Sequence, residues 1–86
     1  MKLTKSILME VEQERINQII NHNEDQSKTE MFINLTEGVG QIATTLQNYS
    51  YWTKESVDSE LYKILIQVAA LSVKMAEGVK KDGTTT

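Results

Sequence analysis

Arg15 is the only arginine in the chain, and a guanidinium is well shaped to grip a phosphate through two parallel hydrogen bonds. It closes the segment Val11-Glu12-Gln13-Glu14-Arg15. An ion pair with Glu12 or a neighbouring acid, within its helix or across to another, is the competing reading. The single histidine, His22, stands between Asn21 and Asn23 in a polar stretch and reads as a surface residue. Ser50, Ser56 and Ser59 have no histidine placed for a triad, so nucleophilic hydrolysis has no support. The absence of cysteine rules out a disulfide framework and a thiolate metal site. Neither Gly-rich phosphate-loop pattern occurs. Tyr49, Tyr51 and Trp52 fall within four positions of one connection. Such rings suit a protein interface, can stack on a nucleobase, or can fold back to cap the helix ends.

Two other stretches carry a recognisable pattern. Leu35-Thr36-Glu37-Gly38-Val39-Gly40-Gln41-Ile42-Ala43 resembles the L-x-E-E-V-G-E-V-A helix of MazG-like nucleotide pyrophosphohydrolases, whose glutamates hold Mg²⁺ against a nucleotide's phosphates. Glu60-Leu61-Tyr62-Lys63-Ile64-Leu65-Ile66-Gln67-Val68-Ala69-Ala70 resembles the later E-L-x-x-E-L-x-x-V-A-A helix of that family. Val11 to Arg15 resembles its early E-R-x-R-Q helix, without the lysine–tryptophan–glycine element that commonly follows. The likeness covers most of the chain, from about residue 10 to about residue 79. It implies an all-α fold, Mg²⁺-dependent attack on nucleoside triphosphates, and small relatives in phage and mobile-element genomes.

The departures from the family pattern decide what chemistry to expect. Laid over E-E-x-x-E and E-x-x-D, the ligand positions read Glu37, Gly38, Gln41, Ile64 and Gln67. Magnesium takes hard oxygen ligands in near-octahedral geometry, and carboxylates three or four apart on facing helices can build such a cage. Here Gly38 offers no ligand, Ile64 offers only hydrocarbon, and Gln41 and Gln67 offer neutral amides. Glu37 alone cannot hold a catalytic Mg²⁺ tightly, so no residue is assigned a catalytic role. Ile64 falls on an apolar seam, where its burial would contribute roughly 1.5–3 kcal/mol. The position reads as a ligand site turned into core. Gln41 and Gln67 either bond each other and Glu37 as a polar plug, or contact a nucleobase or a protein. The expectation is a degenerate member that binds a nucleotide or a protein partner and needs no cofactor. The alternative is a Mg²⁺-dependent pyrophosphohydrolase using Glu37 with help from Glu60 or Glu77.

These residues need long helices to position them. The chain has no proline and four glycines in 86 residues, which favours helices over a turn-rich β fold. Leu3, Ile7, Val11, Ile16, Ile19 and Ile20 predict a helix over residues 3–21 with an apolar stripe. Ser27-Lys28-Thr29-Glu30 fits a capping box opening a second helix that runs to about residue 47. Phe32, Leu35, Val39, Ile42 and Leu46 form its seam, interrupted by Gly38 and Gly40, each costing roughly 1 kcal/mol against alanine. Two such residues in one turn suggest that close backbone approach, or family history, outweighs helix propensity. A third helix runs from residues 55–58 to about 80, with Val57, Leu61, Ile64, Val68, Leu71, Met75 and Val79 as its stripe.

The expected architecture is an antiparallel bundle of three long helices, one domain over residues 1–81 with a frayed tail at 82–86. A chain this small leaves seams open, so a homodimer or tetramer should complete the bundle. The net charge of −3 and pI of 5.0 argue against nucleic acid as a partner. The apolar start at Leu3 breaks at Glu10, too soon for a signal peptide, and no apolar run is long enough for a membrane span. A cytoplasmic protein is the default expectation.

Overall fold

The computed structural model describes residues 1–21, 26–48 and 53–83. Within them the regular secondary structure is three helices: α1 (Lys2–Asn21), α2 (Lys28–Gln47) and α3 (Lys54–Gly83). The boundaries follow local chemistry. The Glu30 N–H donates to Ser27 Oγ at 3.1 Å, and the Ser27 N–H donates to the Glu30 carboxylate at 2.9 Å. This capping box satisfies two otherwise orphaned donors. Thr53 opens α3 in a similar way, its hydroxyl accepting from the Ser56 N–H at 3.1 Å. Lys80 and Lys81 lie in the last turn of α3, where cations suit the helix dipole. The helix continues through Asp82 and Gly83, and Asp82 lies 3.5 Å from Lys28. Residues 84–86 lie outside the described residues.

Thirty residues at about 1.5 Å each make α3 roughly 45 Å long, close to the 47 Å long axis of the molecule. It is the central element. Both α1 and α2 pack on it, and they make no close backbone approach to each other. Pairings of Lys28 with Asp82 and of Gly38 with Val68 run α2 antiparallel to α3. Pairings of Glu10 with Tyr62 and of Arg15 with Glu77 run α1 in the same sense as α3. The chain therefore goes up, down and up.

Among the described residues the buried apolar side chains are Val11, Met31, Val57, Ile64 and Ala70. Two expected seams are rotated. On α1 the buried face is Val11, Arg15 and Gln18, while Ile16, Ile19 and Ile20 are exposed. The long stems of Arg15 and Gln18 fill this face, and Glu77 neutralises the guanidinium there. On α2 the buried face turns by about one residue, to Met31 and Thr45 with Leu35, Gly38 and Ile42 partly covered. Phe32, Val39 and Leu46 face outward. Gly38 accounts for this rotation. A Cβ built there would lie 2.7 Å from Val68 Cγ2, so the missing side chain lets α2 sit directly on α3. Gly40 has open space around it, so close approach explains only one of the two glycines. On α3, Val57 and Ile64 are buried as expected and Val79 is exposed.

Candidate functional site

The residues at family ligand positions separate into three environments. Glu37, Gln41 and Ile64 line one open cavity of about 510 Å³ between α2 and α3, together with Glu60, Thr44 and Asn48. Gly38 lies one residue from Glu37 but against α3, where its position is filled by Val68. Gln67 lines a different cavity, with Glu14, Gln18, Gln26, Asn34 and Lys74. Gln41 and Gln67 are therefore not brought together, and the polar plug of the two amides on Glu37 does not form.

The first cavity offers two carboxylates, Glu37 and Glu60, and the neutral oxygens of Gln41, Thr44 and Asn48. The Thr44 hydroxyl donates to the Gly40 carbonyl at 3.2 Å, which leaves its oxygen lone pairs free. Ile64, at 5 % exposure, presents hydrocarbon where the family pattern has an acid. Among the described residues no group of three or more His, Cys, Asp or Glu side chains is arranged to hold a metal ion. Two carboxylates are fewer than the family pattern supplies, although Mg²⁺ can be held by one or two carboxylates together with waters and a substrate's phosphates.

Arg15 is engaged in the core. Its Nε donates to Glu77 Oε1 at 2.8 Å, and its second guanidinium nitrogen lies 2.7 Å from the same oxygen. The partner is the acid on α3 rather than Glu12, and Glu77 is thereby occupied away from the Glu37 cavity. Tyr62 donates to Glu10 at 2.6 Å across α1 and α3, and this hydrogen bond raises the phenol above its ordinary pKa. His22, Tyr49, Tyr51 and Trp52 lie outside the described residues.

Sequence reasoning passed over two residues that the fold makes prominent. Lys74 is 5 % exposed and donates to the Gln26 side-chain carbonyl. Gln18 is 7 % exposed, and its side-chain oxygen is buried without a hydrogen-bond partner. Their register carried a faint signal. Gln18 follows Val11 by seven residues and Lys74 follows Leu71 by three, so both fall on buried stripes. Polar side chains at such positions are read as breaks in the stripe when only apolar residues are counted.

Comparison with family models, with curated proteins and with solved structures finds no match to this chain.

Proposed function

We propose that this protein is a catalytically degenerate relative of the MazG-like pyrophosphohydrolases, acting by binding a nucleotide or a protein partner without hydrolysis. The observation that carries the reading is the content of the α2–α3 cavity. Residues at three family ligand positions, Glu37, Gln41 and Ile64, line it together, yet only Glu37 among them is an acid. Core packing has taken over at Ile64, and steric contact with Val68 keeps a side chain out of the Gly38 position. Such a cavity retains hydrogen-bonding groups for a ligand and lacks the charge to activate water on a phosphate.

Glu60 in the same cavity favours a second reading, a Mg²⁺-dependent hydrolase with a reduced acidic site built from Glu37 and Glu60. Calorimetric titration of Mg²⁺ into the protein, with and without a nucleoside triphosphate, separates the two. The degenerate reading predicts no heat for Mg²⁺ alone and no gain in nucleotide affinity from it. Micromolar Mg²⁺ binding that is lost in Glu37→Gln would sink it.

Self-association belongs to the same proposal. Among the described residues fifteen large apolar side chains are exposed against five buried apolar ones. The accessible area of 6513 Å² exceeds the roughly 5,200 Å² expected for a compact monomer of this mass. A dimer or tetramer in the cytoplasm that covers the Ile16, Ile19 and Ile20 face of α1 or the Phe32 and Val39 face of α2 would remove this excess. No described helix is long and apolar enough to cross a membrane, so a bilayer-spanning role for these faces has no support.

A further inference from the structure

Lys74 is buried where α3 meets the chain just before α2, and its only described partner is the neutral Gln26 carbonyl. No carboxylate among the described residues pairs with it. A buried ammonium without a counterion is costly unless something else supplies the charge. Lys74 and Gln26 together line two adjoining cavities, of about 510 and 400 Å³, each within the size range of small-molecule pockets.

The two cavities differ in chemistry. The larger has Arg15, Lys28, Lys74 and Lys81 on its walls against Glu77 and Asp82. Among the described residues this is a local cationic surplus in a chain whose net charge is −3. Arg15 and Lys28 already face Glu77 and Asp82 respectively, which leaves Lys74 and Lys81 to set the field. The smaller is walled mainly by side-chain amides, Gln18, Gln26, Asn34 and Gln67, with the Glu14 carboxylate and Leu71 beside them. There the Gln18 oxygen is a buried acceptor with no donor. Primary amides can meet the paired donor and acceptor edge of a nucleobase.

We infer that this junction is a mononucleotide site, with the phosphate against Lys74 in the cationic cavity and the base among the amides beside Gln18. The bound phosphate supplies the missing counterion of Lys74, displacing the Gln26 carbonyl from the ammonium. A base N–H satisfies the Gln18 oxygen. Lys28 and Lys81 close the phosphate side from the rim. Neither cavity is lined by Glu37, Gln41 or Ile64, so the site is independent of the degenerate metal cavity and can fail or hold without it.

Titration calorimetry of the full chain with inorganic phosphate and with the four common ribonucleoside monophosphates tests the site. At least one monophosphate should bind ten-fold or more tighter than inorganic phosphate. Lys74→Met should weaken both ligands at least ten-fold, whereas Gln18→Met should weaken the nucleotide and leave inorganic phosphate unchanged. The rim variants Lys28→Ala and Lys81→Ala should each weaken phosphate several-fold, which keeps the test open if Lys74→Met does not fold. Lys63→Ala, an exposed lysine of α3 outside both cavities, should change neither ligand. Wild-type affinity in Lys74→Met, an equal loss in Lys63→Ala, or no binding of any monophosphate at millimolar concentration would overturn the inference.

Discussion

Gly38 on α2 and Val68 on α3 meet so closely that a β-carbon on the glycine would stand 2.7 Å from the valine's Cγ2. Valine is held to one rotamer in a helix, so its methyl group cannot swing aside as a longer side chain would. The pair fixes how deeply α2 seats on α3, and it denies a side chain to the position where the family pattern has a glutamate.

Gly38→Ala and Gly40→Ala should therefore shift stability in opposite directions. The first gains about 1 kcal/mol of helix propensity but overpacks the interface, for a net loss of about 1–2 kcal/mol. The second meets nothing within 4 Å and should gain up to about 1 kcal/mol. Urea denaturation of the two variants checks the pair. Equal stabilisation by both would mean that the helices are not in van der Waals contact at Gly38.

The Arg15–Glu77 ion pair should matter far more than the exposed Lys54–Asp58 pair. Both are 2.7 Å long, but the Arg15 side chain is 9 % exposed and Lys54 is 70 % exposed. Glu77→Ala removes the carboxylate that two nitrogens of this buried guanidinium meet and should cost about 1–3 kcal/mol. Asp58→Ala should cost at most about 0.5 kcal/mol. Chemical denaturation at low and high salt distinguishes them.

How much of this was legible in the sequence differs residue by residue. The three helices and the Ser27–Glu30 box could be read because capping residues and the lack of proline act locally. The seams of α1 and α2 could not, because hydrophobicity alone does not say which stripe faces the neighbour. Gly38 removes a side chain and draws that face inward, while the buried Arg15 meets Glu77 on α3. Glu37, Gln41 and Ile64, all at positions where the family pattern has ligands, line one cavity. Gln67, one turn beyond Ile64, points to a different cavity because α3 contacts both other helices. Lys74 and Gln18 acquire meaning only once α1, α3 and the start of α2 converge.

Removing the buried charge at Lys74 should stabilise the ligand-free protein. Methionine matches the stem in volume and needs no counterion. Lys74→Met should raise stability by about 1 kcal/mol, read as a higher thermal midpoint. A lower midpoint would mean that the ammonium is already compensated in the ligand-free state.

The capping box makes one pH-dependent contribution with a defined sign. The Ser27 backbone hydrogen bond, reinforced by the Ser27 hydroxyl, holds Glu30 below its ordinary pKa. A carboxylate with a depressed folded pKa stabilises the fold above its unfolded pKa. That contribution is lost as pH falls through the lower, folded value. Ser27→Ala should cost about 1 kcal/mol at neutral pH and should flatten this acid limb. Denaturation curves taken from neutral pH down through the carboxylate range read both effects.

Pyrophosphate release from nucleoside triphosphates in the presence of Mg²⁺ tests the central claim most directly. With Glu37 and Glu60 the only acids among the described residues lining the α2–α3 cavity, wild-type protein should release no more pyrophosphate than the Glu37→Gln variant. Mg²⁺-dependent release by the wild type that disappears in Glu37→Gln would contradict the account and favour a hydrolase built on Glu37.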